Sequence, residues 1–214
     1  MKQVFMMMIG AIALGTASAQ EARLNFYSAY VFDDGFNDYT SANNYFNGKV
    51  KGGYQVGGSI EYLPTPMNGV ELLYLYKGSD APVNFNFSNL TSAKNETFKV
   101  NLNYIMLSGN HYLLSSNKKV EGFGGLMAGV VINNVKTSSG SSSSNTNFAW
   151  GAKLGSNIWA SHKVGIKLQA QILAATRATG GDLYFSYWGP VEVPDYTTLW
   201  QFGLGGGLTV RLGK

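Results

Sequence analysis

The sequence predicts an all-β fold, an eight-stranded antiparallel up-and-down transmembrane β-barrel with both termini periplasmic, and three observations predict it. From Ala22 to Leu212, stretches of about ten residues alternate apolar side chains with small, polar or charged ones. That period of two belongs to strands with unlike faces. The connections between these stretches alternate long and short, as in barrels with short turns on the periplasmic side and long loops outside. The N-terminus has Lys2, an apolar run from Val4 to Leu14, and Ala17-Ser18-Ala19 before Gln20. This is the pattern of an export signal, and it is too short for the roughly 20 apolar residues of a spanning helix.

The expected organisation is therefore a signal peptide at 1–19 and one barrel domain at 20–214. Without Lys2 the chain keeps 15 basic against 12 acidic side chains, a balance of +3. So mild a charge predicts no nucleic-acid partner. There is no cysteine although export would permit disulfides, so rigidity has to come from a hydrogen-bonded sheet. The 27 glycines and 13 tyrosines, with only 13% charged residues, favour sheet over helix.

Eight strands follow in order. The first, 22–32, carries Phe26 and Tyr30 on its apolar, even-numbered face; the second, 51–62, carries Tyr54, Val56 and Ile60; the third, 69–78, carries Val70, Leu72 and Tyr74. On the same parity, strand 97–113 is expected to turn Phe98, Val100, Leu102 and Tyr104 outward. In strand 119–133 the faces are blurred by Gly122, Phe123, Gly124, Gly125 and Met127, and a glycine-rich bend or bulge there would shift the register. Strands 147–160 (Phe148, Trp150, Leu154, Ile158), 163–177 (Val164, Ile166, Leu168, Ile172) and 199–213 (Trp200, Phe202, Leu204, Leu208, Val210, Leu212) return to clear alternation.

The long connections are 33–50, 79–96, 134–146 and 178–198; the short ones are 63–68, 114–118 and 161–162. Aromatics gather near strand ends, with Tyr30, Phe32, Tyr76, Phe98, Phe148, Trp150, Trp200 and Phe202 toward the long loops and Tyr62 and Tyr112 toward the short turns. Two interfacial girdles are expected from that placement. Alternation alone leaves one alternative open: a soluble ligand-binding barrel, with its apolar face inward and Glu61, Glu71, Lys153 and Lys167 outside.

Two stretches carry a resemblance. The spacing of Gly207, Val210 and Leu212 resembles the C-terminal signal read by the barrel-assembly machinery, though the chain continues to Gly213-Lys214 without a terminal aromatic. Val100 to Leu107, His111 to Leu114, the turn Asn117-Lys118-Lys119 and the glycine-rich Gly122 to Gly129 resemble the central hairpin of the small outer-membrane β-barrel domain family, the OmpA-like or porin-like group common in Bacteroidetes. Tyr54 to Tyr62 and Phe202 to Gly207 resemble its second and last strands. The resemblance implies an outer-membrane location, lipid as surroundings, the assembly machinery as partner during insertion, and a monomer. It implies nothing about substrate.

On the predicted register, Arg23, Glu61, Glu71, Glu121, Lys163 and Arg211 point inward near the short-turn ends of six strands. They are expected to form a layer of ion pairs across the periplasmic mouth, because unpaired charge there would be costly. Higher up, Gln55, Asn101, Asn103, Lys153, Lys167, Gln169 and Gln171 would fill the bore. An eight-stranded bore is only wide enough for its own side chains, so a closed or poorly conducting barrel with a structural or interaction role is the leading expectation. A small porin or apolar-solute carrier is the alternative.

Catalysis is not expected. Small outer-membrane enzymes that act on lipid A pair a histidine with a serine near the outer leaflet, whereas His111 and His162 both fall at short turns. No cofactor or metal is expected either; Asp33, Asp34 and Asp38 read as a solvated loop tip rather than a cation site. The Ser138 to Asn145 run reads as a flexible tip. In the fourth long loop, Tyr184, Phe185, Tyr187, Trp188 and Tyr196 are candidates to contact a surface glycan or host ligand, set against a plain extension of the strand.

Overall fold

The computed structural model describes residues 21–41, 44–86, 94–115, 119–136, 142–176 and 199–212. They form β1 (Glu21–Val31), β2 (Asp34–Ser41), β3 (Asn44–Val50), β4 (Gly53–Thr65), β5 (Asn68–Asn86), β6 (Lys94–Leu114), β7 (Val120–Lys136), β8 (Ser142–Trp159), β9 (Val164–Thr176) and β10 (Leu199–Leu212). Every pairing is antiparallel, and β1, β4, β5, β6, β7, β8, β9 and β10 close into an eight-stranded barrel. The remaining two segments, β2 and β3, form a hairpin standing on β1 and β4, and β3 also pairs with the upper part of β5.

The stagger of the barrel can be read from its register. Paired positions run from Lys77 through Gln55, Ala29, Gly205, Gln169, Gly155 and Phe123 to Tyr112 on β6. Lys77 itself pairs with Leu102 on that strand, so one circuit advances ten residues. Strand number and stagger together set the bore, which at this size holds side chains and little else.

The two faces are the reverse of those of a soluble barrel. Leu126 is 74% exposed and Leu154 65% on the outside, while Glu61, Glu71, Lys77 and Lys167 are 0% exposed within. Such a surface is stable against lipid rather than water. The soluble ligand-binding barrel is thereby corrected, because it requires Glu61, Glu71, Lys153 and Lys167 outside. A girdle of outward aromatics marks the long-loop end. Tyr30 meets Phe32 and Tyr54 edge-on, Phe32 stacks on Phe202 with ring centroids 5.6 Å apart, and Trp150 meets Trp200 edge-on.

One strand faces the other way from its predicted orientation. On β6, Phe98, Val100, Leu102 and Tyr104 are buried in the bore, and Ile105 and Leu107 face out. The cause lies in the neighbours. Even residues of β5 pair with odd residues of β6, as in Leu72 with Leu107, and odd residues of β6 pair with even ones of β7, as in Leu107 with Ala128. Both faces of β6 are apolar between Tyr104 and Leu107, so its own pattern there leaves the parity open. Asn101 and Asn103 therefore leave the bore and accept hydrogen bonds from Tyr76 (2.9 Å) and Tyr74 (2.8 Å). Phe98 and Tyr112 likewise belong to the interior and not to the girdles.

Three smaller differences follow. The register of β7 is continuous with both neighbours, so its glycines make no bulge; register shifts lie instead between Tyr62 and Thr65 on β4, where Pro64 interrupts the ladder, and between Tyr39 and Ser41 in the β2–β3 hairpin. Much of the first three long connections is strand, including Ser142 to Asn145 of the serine run, since β2, β3 and the upper parts of β5 to β8 pair well above the girdle. Short turns are built from local polar groups: Thr65 Oγ1 accepts from the Asn68 backbone N–H, and Ser161 Oγ from that of Val164.

The β6 orientation has a direct test in a chain without cysteine. A single cysteine at Leu107 should react with a lipid-soluble thiol probe in the folded barrel, whereas one at Met106 should stay protected until the barrel is unfolded.

Candidate functional site

The functional candidate is the bore itself, where the inward faces of all eight staves converge. Four charged groups close its short-turn end in a cycle. Arg23 donates to Glu21 (2.5 Å) and to Glu121 (2.9 Å), and Arg211 donates to Glu121 (2.6 Å) while its Nε lies 2.8 Å from Glu21. Glu21 and Arg23 come from β1, Arg211 from the adjoining β10, and Glu121 from β7 on the far wall. The cycle therefore spans the bore. Arg23 also lies over the rings of Tyr112 and Trp159, and the Arg211 guanidinium sits 3.6 Å from the Trp159 centroid.

Deeper in, two carboxylates stand side by side as paired positions of β4 and β5, Glu61 and Glu71. Glu71 accepts from Tyr27, Ser59 and Lys153, from Asn25 (3.2 Å) and from Asn110 (2.9 Å). Glu61 accepts from Asn110 (2.6 Å) and Tyr112 (2.6 Å), so the Asn110 amide bridges both acids. Two like charges this close are tolerable only where donors converge on them. Lys153, reaching from β8 on the opposite wall, supplies the cation. Gly69 makes room, since a Cβ there would come within 2.5 Å of Glu61 Oε1. Gly155 does the same beneath Phe123, over whose ring the Lys167 ammonium sits 4.5 Å from the centroid.

Of the six residues expected in the layer, Arg23, Glu61, Glu71 and Glu121 are buried in the bore and Arg211 is half-buried at its mouth. Lys163 is corrected: it lies in the β8–β9 turn, exposed, because the strand begins only at Val164. Lys153 was expected only as filling higher up, but its ammonium reaches down into the layer. Glu21, Tyr27, Asn25, Asn110 and Tyr112 were missed. Odd-numbered parity could have found Glu21, Asn25 and Tyr27; Asn110 and Tyr112 lie on β6, whose inward face is even. The loop candidates Tyr184, Phe185, Tyr187, Trp188 and Tyr196 lie outside the described residues.

Above this layer the bore changes character. Leu73, Leu75, Ala81 and Val83 on β5, Val50 on β3, Phe98, Val100, Leu102 and Met106 on the adjoining β6 and Val131 on β7 belong to one buried apolar cluster. At the rim, Asp33 accepts from the Gly52 N–H (2.6 Å) and Lys49 (3.0 Å), and those two contacts hold its carboxyl below the usual range. Asp34 accepts from the Trp200 N–H (2.9 Å), but burial outweighs this and raises its carboxyl. The two acids are engaged separately, and no cluster of three metal-ligating groups occurs among the described residues. His111 contacts Asn68 at 3.0 Å and His162 is exposed in its turn, both at the short-turn end.

Comparison of whole structures places this architecture among known ones. The chain is similar to Neisserial surface protein A (TM-score 0.52, 13% identity, 92% of this chain and 100% of that one) and to the outer membrane protein OprG of Pseudomonas aeruginosa (TM-score 0.53, 14% identity, 92% and 97%). This is the fold of the small outer-membrane barrels. At such low identity the likeness is one of fold alone. No family model and no curated protein sequence matches the chain.

Two outcomes test the site. Replacing Lys153 with Met strands a buried carboxylate and should lower unfolding stability by about 3–5 kcal/mol in urea titrations of the lipid-reconstituted barrel, and adding Glu71→Gln should recover part of it. At the rim, Asp33 has a depressed folded-state pKa, so its contact is present above the ordinary value of about 3.9 and is lost only as pH falls through the lower folded value. The Gly52 amide resonance should accordingly titrate with a midpoint below that of an unstructured aspartate.

Proposed function

We propose that this chain is an integral outer-membrane barrel, exported by its 1–19 segment, closed to ions, and acting in a structural or interaction role through its long-loop end. The observation that carries the reading is the double barrier across the bore: the Arg23–Glu121–Arg211–Glu21 cycle and, above it, Glu71 held by Lys153 from the opposite wall. An ion crossing the barrel would have to displace buried, mutually satisfied charges. Comparison with small outer-membrane barrels supports the location. On this reading both termini are periplasmic, outer-membrane lipid surrounds a monomer, the assembly machinery inserts it, and a surface glycan or host ligand meets the loops. A non-enzymatic role is supported by the placement of His111 and His162 at the short-turn end.

A second reading, a carrier for apolar solutes, is favoured by one specific observation. The bore above the charged layer is lined by the apolar cluster from Leu73 to Val131, an odd lining for a plug and a suitable one for an apolar guest.

Planar-bilayer recording tests the first reading. The wild-type barrel should show no stable channel, and Glu71→Ala or Glu121→Ala should raise single-channel conductance. A conducting wild type, or variants indistinguishable from it, would count against the barrier.

A further inference from the structure

Outside the barrel, β6 and β7 carry a graded ladder of cross-strand pairs. Toward the long loops it runs Ile105 with Val130, Asn103 with Ile132, Asn101 with Asn134 and Lys99 with Lys136. These positions belong to the outward face: Ile105 is 44% and Val130 37% exposed, and both lysines are exposed. The ladder therefore passes from hydrocarbon-facing side chains through amides to cations. Tyr74 and Tyr76 on the adjoining β5 join the amide rows by donating to Asn103 and Asn101.

The top rung carries an unfavourable arrangement. Like charges directly opposite each other on neighbouring strands destabilise a sheet, and Lys99 and Lys136 are such a pair. Asp80 on β5 is paired with Lys99 from its other side and is exposed as well, so it offsets one positive charge. The exposed Lys51 restores it, its backbone N–H bonded to the Asp80 carbonyl at 3.0 Å. Among the described residues no ion pair joins Lys51, Lys99 or Lys136 to an acid. Beyond Lys136 the row is neutral, with Ser142 of β8 as its paired position and Ser144 and Thr146 as the next exposed residues on that strand. The surplus of positive charge thus belongs to one sector of the wall.

Cross-strand neighbours have Cβ atoms about 4.5–5.5 Å apart, so the two ammonium groups can converge on one oxyanion. A phosphate offers several acceptor oxygens and full negative charge, and charge-assisted bonds of that kind are the strong ones. The height of the rung says what carries the phosphate. Lys99 stands about 13 Å along its tilted strand beyond Asn103 and about 20 Å beyond Ile105. The phosphate of a glycerophospholipid adjoins its acyl chains, level with the amide rows; a phosphate borne on sugars reaches further, and the amides between can bond the sugar hydroxyls. The rung continues the lipid-facing wall without a break, so the molecule that bears the phosphate is itself a lipid.

We propose that the outer face of β6 and β7 holds a phosphorylated glycolipid, its phosphate between Lys99 and Lys136, its sugar at Asn101 and Asn134, and its acyl chains on Ile105 and Val130. The inference rests on the outer-membrane reading and specifies one lipid class and one place on the wall; it is independent of what the bore does.

The test titrates the folded barrel in zwitterionic detergent micelles with diphosphorylated lipid A, with its dephosphorylated form and with phosphatidylglycerol, and reads bound lipid by native mass spectrometry. The wild type should bind diphosphorylated lipid A about fivefold or more tightly than either of the others. The double variant Lys99→Gln/Lys136→Gln should bring it down to the level of the dephosphorylated form, and Lys99→Arg/Lys136→Arg should keep the preference. Lys119→Gln/Lys163→Gln, which removes the same charge at the short-turn end, should also keep it. Equal affinity for lipid A and its dephosphorylated form overturns the proposal, as does a preference that survives Lys99→Gln/Lys136→Gln or is lost equally in the short-turn variant. Phosphatidylglycerol bound as tightly as lipid A overturns the assignment to a glycolipid. Any of these results from a barrel that keeps heat-modifiable gel migration in the outer-membrane fraction leaves the outer-membrane reading standing, whereas a wild type absent from that fraction overturns both.

Discussion

Backbone hydrogen bonding in lipid is the constraint on which everything else here depends. A strand that leaves its N–H and C=O groups unpaired in the hydrocarbon region pays several kcal/mol for each, so the sheet must close. Closure is made by β1 with β10 and by β5 with β6. Once eight strands close with a stagger of ten residues, the bore radius follows, and with it the demand that inward side chains fill the space. The inward glycines and the large inward Arg23, Tyr112 and Trp159 are complementary answers to that demand.

Filling a bore with charge requires that each charge be answered locally, and the lower half does so by crossing the barrel. Glu121 on β7 ties together Arg23 and Arg211 on the opposite wall, and Glu71 on β5 meets Lys153 on β8. These links hold far walls at fixed separation, which a ladder of neighbouring strands cannot do alone. The neutral donors matter as much as the cations, because Asn110 and Tyr112 are what allow Glu61 to stand beside Glu71.

The upper half is organised differently. Its inward face is largely apolar, and its polar side chains bond in pairs across it, Gln171 to Gln55 and Tyr104 to Gln201. Outside, the same level is marked by the aromatic girdle and by Tyr74 and Tyr76 bonded to Asn103 and Asn101, a boundary between lipid-facing and water-facing wall. A barrel sealed below and apolar above is compatible with interaction at the long-loop end and with uptake of an apolar guest from that side.

The sequence by itself determined the eight strands of the barrel, though not the β2–β3 hairpin above it, the antiparallel order and the inward placement of Arg23, Glu61, Glu71 and Glu121, because each property is local: a period of two and a charge on the minority face. It did not determine which face of β6 turns inward, since both are apolar between Tyr104 and Leu107. Only pairing to β5 and β7 could choose, and that choice brought Asn110 and Tyr112 into the bore and sent Asn101 and Asn103 out of it. Nor did it determine that Lys153 would pair with Glu71 while Lys77 would not pair at all. Partnership across a barrel depends on stagger and tilt, which accumulate over eight strands and are written in no single one of them.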